Sequence, residues 1–151
     1  MKKQIVKGLA MLVLTLALAG ASMVVANGQS NARLVAHVPF DFVVGDKTLP
    51  AGEYRVAATD QSGETIAIAN SQGDAAIRLS NPMERNDREK AAKLVFRRYG
   101  STYFLAQVWR AGEATGREIS KSNQERSMAR ELKLARNGRT FETVIVIATA
   151  R

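Results

Sequence analysis

KLVFRRYGSTYFLAQVWR, residues 93–110, is the stretch whose reading decides the fold. β-Branched and aromatic residues crowd it, and Gly100-Ser101 splits it into two arms. Such a pair between two β-prone runs specifies a two-residue hairpin, and Gly at its first position suits a type II′ turn. The turn sets the register: Phe96 faces Leu105, Arg97 faces Phe104 and Arg98 faces Tyr103. Simple alternation puts Leu94, Phe96, Tyr103, Leu105 and Trp109 on one side. Val95, Tyr99, Phe104, Ala106 and Val108 take the other. A strand pair apolar on both faces is covered on both. The sheet's own core covers one face, so another element must cover the second.

The chain supplies that cover downstream. Ser122-Asn123-Gln124-Glu125 reads as a capping box, in which the Ser hydroxyl accepts from the Glu amide and the Glu side chain reaches back. Asn137-Gly138 is the matching stop. Between them Met128, Leu132 and Ala135 share one helical stripe, with Arg126, Arg130 and Lys133 nearly opposite. The spacing predicts a helix over residues 123–136 that rests its Met128/Leu132 side on the sheet. FETVIVIAT, residues 141–149, follows as a last strand, and its run 144–147 is apolar on both faces, which places it inside the sheet.

Upstream, short alternating segments recur between turn signals, at residues 34–38, 40–44, 53–59, 65–69 and 75–80. Pro39 marks a bend between the first two, and residues 45–52 read as a loop. Pairing position 41 with 55 sets Phe42 opposite Tyr54, Phe40 opposite Val56 and Asp41 opposite Arg55 as an ion pair. The charged span NPMERNDREKAA, residues 81–92, reads as a solvated connector, with one short helix after Pro82 as the alternative. The resulting fold class is mainly β: an antiparallel meander of about eight strands forming a small barrel or a two-sheet sandwich. One amphipathic helix precedes the last strand, and a signal helix stands at the N-terminus. An outer-membrane barrel fits less well, because the strands are short and no aromatic girdle appears.

Residues 1–26 are set apart by composition. Lys2, Lys3 and Lys7 make a basic start, GLAMLVLTLALA an apolar middle, and small residues end it, as in a secretory signal peptide. Cleavage is expected after Ala26, with Ala21 the alternative, leaving 27–32 as a flexible new terminus and 33–151 as a single β-rich domain. The competing reading is a retained anchor, since residues 8–26 are uncharged. On the cleaved reading no transmembrane span is left, and the product is periplasmic or secreted. The formal charge falls from +8 to +5, because residues 1–26 hold three lysines and no acid. That balance suits an anionic surface such as an envelope component. It is too sparse for nucleic acid, which calls for a dense basic stripe. The chain has no cysteine, so a lipid-modified cysteine, disulfides and thiolate metal sites are excluded.

The sequence carries none of the common catalytic patterns. The one histidine, His37, lies in the first strand and reads as a strand residue; no GxSxG elbow presents a serine to it. One histidine and no cysteine give no zinc or copper pattern, and no GxxxxGK[ST] or GxGxxG cradles a phosphate. No catalytic, metal or cofactor-binding residue is therefore assigned, and no cofactor is expected. A hydrolase would need two or more of His37, Asp41, Glu53 and Glu118 to meet in one cleft. Two groups stand as ligand or surface contacts. Arg97, Arg98, Tyr103, Trp109 and Arg110, with Tyr99, set guanidinium groups beside aromatic rings, an arrangement suited to an anionic or sugar ligand or to cross-strand packing. Arg126, Arg130 and Lys133 form a basic helix face, suited to an acidic polymer or lipid headgroups or to plain solvation.

PFDF…LPAGEY in residues 39–54, RRYGSTYFLAQVW at 97–109, TGRE at 115–118 and KSNQERSMAREL at 121–132 together resemble a family of small exported bacterial proteins common in soil bacteria. The resemblance spans most of residues 33–151 and implies export and a shared β-rich fold; it brings no activity, cofactor or catalytic residue to carry over. The expected function is a non-enzymatic binding or envelope-associated structural module. The alternative is a small barrel carrying an apolar small molecule.

Overall fold

A computed structural model describes residues 33–135 and 141–151. The expected signal segment, the residues up to 32 and the Asn137-Gly138 stop lie outside the described residues. The elements in chain order are β1 (Leu34–Val38), β2 (Phe42–Val44), β3 (Lys47–Leu49), β4 (Gly52–Ala58), β5 (Thr65–Ala69), β6 (Ala75–Glu84), β7 (Lys93–Tyr99), β8 (Thr102–Trp109), β9 (Thr115–Ile119), α1 (Asn123–Ala135) and β10 (Glu142–Ala150). Eight strands close on themselves in the order β8-β7-β10-β1-β4-β5-β6-β9, with β9 returning to β8. Every pairing in this ring is antiparallel. The fold is therefore a closed barrel and not a sandwich. Closure leaves no unpaired edge within the ring, which suits strands this short.

The hairpin at residues 93–110 forms as read: Phe96 faces Leu105, Arg97 faces Phe104 and Arg98 faces Tyr103. Gly100 has φ +61° and no described non-Gly residue has positive φ, as a type II′ turn requires. The expected faces fail beyond Leu105. Val95 pairs with Gln107 while Phe96 pairs with Leu105, so Ala106 is an extra residue in β8. Such a bulge shifts the alternation by one. Val108 consequently joins Leu94, Phe96 and Leu105 in the core, and Trp109 leaves it.

Several expectations about the strands are corrected. Residues 40–44 are no barrel stave paired with β4; β4 pairs with β1 instead, setting Tyr54 opposite Ala36 and Arg55 opposite Val35. The segment between β1 and β4 forms a small hairpin, with Phe42 opposite Leu49, and joins β8 in parallel at Tyr103 and Phe104. Residues 47–49, read as loop, are its second arm. The Asp41–Arg55 ion pair is absent; Asp41 instead accepts a hydrogen bond from the Ala51 amide at 2.8 Å. Phe42 still meets Tyr54, edge to face at 5.0 Å, but through packing and not strand register. The missing stave is β9, and β6 runs on to Glu84 to pair with it. Only the rest of the charged span, after Glu84, is a connector.

The β2–β3 hairpin stoppers one end of the barrel. Phe42, Val44 and Leu49 are core residues, and the Gly45-Asp46 turn is met by Arg78 of β6, whose guanidinium donates to the Val44 carbonyl and pairs with Asp46 at 3.1 Å. Phe42, Phe96, Tyr54 and Leu105 fill the space beneath. β10 lies inside the sheet as expected, between β7 and β1, yet its outward Ile145 and Ile147 stay 52% and 62% exposed. The second face of the β7–β8 pair is covered as anticipated: Met128, Ala129 and Leu132 of α1 pack on Val43, Tyr99 and Phe104. Among the described residues, no helix is long and apolar enough to cross a membrane.

Candidate functional site

Beneath α1 sits a buried polar cluster. Arg97, 7% exposed, lies on the outer face of β7 and would be costly there unpaired. Its Nε donates to Glu125 Oε1 at 2.6 Å and its Nη2 to Glu125 Oε2 at 3.4 Å and to the Ile119 carbonyl at 3.2 Å. Nη1 reaches Glu118 at 3.4 Å. The Tyr99 hydroxyl donates to Glu125 at 3.1 Å, and burial, aided by that carboxylate, pushes the hydroxyl up to about 12. This corrects half of the capping box. The Glu125 amide does donate to Ser122 Oγ at 3.1 Å, but the carboxylate turns inward to Arg97 instead of reaching back. The cluster fastens the helix to the barrel, and its polar groups are spent on one another.

The other hairpin residues separate. Arg98 lies over the Tyr103 ring at 5.5 Å and pairs with Glu142 at 3.3 Å. Tyr103 stacks on Phe40 at 3.9 Å. Trp109 is fully buried, with its Nε1 donating to Gln107, Arg85 over its ring at 4.8 Å, and Gly116 against its face. Arg110 lines a cavity. Arg126, Arg130 and Lys133 sit together on the exposed side of α1, as the helical spacing places them. His37 and Glu53 face each other across β1 and β4 on the exposed outer side; Glu118 stays with Arg97 and Asp41 with its turn.

The open end of the barrel, opposite the β2–β3 stopper, holds a cavity of about 190 Å³. Leu34, Val56, Ile66 and Val108 form its apolar floor. Its polar lining comes from the β4–β5 turn and from the residues joining β8 to β9. Asp60 organises the turn: it accepts from the Ser62 hydroxyl at 2.7 Å and from the Glu64 and Thr65 amides at 2.9 and 2.7 Å. The Ser62 hydrogen bond, with those of Thr65 and Glu64, holds its carboxyl well below the usual aspartate range. Arg117 pairs with Val108 in register and so shares its inward face; it donates across the opening to the Ser62 carbonyl. Arg110 has Glu113 at 3.8 Å. Sequence reasoning missed Asp60, Glu113 and Arg117 as a group. Arg117 stood inside TGRE and Asp60 inside a turn, but nothing in the sequence brings positions 60, 113 and 117 to one rim. A wider, more open groove of about 640 Å³ runs outside between residues 85–91 and Ile145/Ile147.

No family model matches the chain, and neither a curated protein nor a solved structure does.

Proposed function

We propose that this chain is an exported, non-enzymatic binding module that works through the open end of its barrel. The observation that carries the reading is the asymmetry of the two ends: one is stoppered by β2–β3, the other keeps an apolar floor under a charged rim. Export is supported by the signal-like composition of residues 1–26 and by the family resemblance. An internal carrier of an apolar molecule needs an enclosed space of ~300 Å³ or more. The filling of the interior by Phe42, Tyr54, Phe96 and Leu105 favours the rim over that alternative. The basic side of α1 offers a second contact, for an anionic envelope component.

Native mass spectrometry of protein from the exported fraction of its own host tests the reading. A processed N-terminus and a retained small molecule are the expected results. A specific turnover by the purified protein that disappears on replacing a single carboxylate overturns the non-enzymatic assignment.

A further inference from the structure

We propose that the open end of the barrel binds a small amphipathic carboxylate, its charged head held by Arg110 and Arg117 and its apolar tail set on Leu34, Val56, Ile66 and Val108. The inference rests on the binding-module reading and names its ligand class. Five features support it. The two guanidiniums are the cationic groups of this cavity, and each carries five N–H donors in a fixed fork suited to a carboxylate. Neither makes a hydrogen bond to a carboxylate among the described residues. Arg117 donates to a backbone carbonyl, and Glu113 stands 3.8 Å from Arg110, too far for one.

The rim holds two acids: Glu113 stands off Arg110 at 3.8 Å, and Asp60 is turned away. Asp60 accepts three hydrogen bonds from its own turn, so its oxygens serve the β4–β5 connection. The floor is built of core side chains and offers no hydrogen bond, so a bare inorganic anion would leave it in contact with water. Size supplies the last bound. A cavity of about 190 Å³ corresponds to roughly six water volumes, below the range of drug-sized pockets. A short-chain or single-ring carboxylate fits that space.

Isothermal titration of the purified protein with hexanoate, hexanol, hexylamine and acetate tests the proposal. Hexanoate is expected to bind saturably and at least about tenfold more tightly than the other three, because head and tail are both required. Arg110→Gln and Arg117→Gln should each weaken hexanoate about tenfold or more, while Lys47→Gln on the exposed β2–β3 hairpin at the other end leaves it unchanged. Should Arg117→Gln loosen the turn that it anchors, Arg110→Gln still decides, since Arg110 makes no side-chain hydrogen bond among the described residues. Equal affinity for hexanol, unchanged affinity in both variants, or no saturable binding overturns the carboxylate site. Those results leave the non-enzymatic reading standing, whereas a carboxylate-dependent turnover sinks that reading alone.

Discussion

Arg97 and Glu125 meet beneath α1 with side chains 9% and 3% exposed. Two charges out of water are tolerable only as a hydrogen-bonded pair, so removing one partner strands the other. Glu125→Ala is expected to cost ~3–5 kcal/mol, and Arg97→Met with Glu125→Leu to restore most of it. Urea unfolding at neutral pH measures both; a loss below about 1 kcal/mol would equate the pair with a surface bridge. At the opposite end, Asp60 governs acid behaviour. Its folded pKa is depressed, so its stabilisation is full above the unfolded value near ~4 and is lost progressively as pH falls from there through the folded value. Glu89, lowered chiefly by its hydrogen bond to Lys93, acts in the same direction. Melting temperature should therefore fall on acidification, and more shallowly in Asp60→Asn than in the parent protein.

Among the elements, the β8–β9 seam is the most exacting. Trp109 is displaced outward by the bulge at Ala106, and its ring lies where Gly116 has no side chain. A Cβ at Gly116 would come within 2.6 Å of that ring. Gly116→Ala should destabilise by ~1–3 kcal/mol, as overpacking does, seen as a lower denaturation midpoint with an unchanged slope. Helix α1 depends on both its cap and its docking. Ser122→Ala removes the acceptor of the Glu125 amide and is expected to cost ~1 kcal/mol. If Ser122→Ala instead left the midpoint untouched, the cap would be redundant with the Arg97 anchor. Both effects were half visible in the sequence: SNQE announced a helix start, but the destination of the Glu125 side chain required knowing what lay under it.

At the scale of the whole molecule, the stoppered end makes the barrel a packed body. Phe42 fills it from outside the ring, so Phe42→Ala should cost ~3–5 kcal/mol and open the core to a hydrophobic dye, read as a rise in its fluorescence. A wild-type dye response would mean that the neighbouring aromatic rings close the gap. What the sequence determined alone was local: the hairpin register, the turn glycine, the helix with its Met128/Leu132 stripe, and the β-rich class. Each depends on residues within one turn or one alternation of each other. What only the tertiary structure decided was non-local: closure into a ring, β9 as the eighth stave, β2–β3 as a stopper, and the rim formed by Asp60, Arg110, Glu113 and Arg117. The physical reason is that period and turn chemistry fix which way a side chain points along its own strand. Which strands become neighbours depends on closing the barrel with no edge left unpaired, and one extra residue at Ala106 is enough to exchange Val108 and Trp109 between inside and outside.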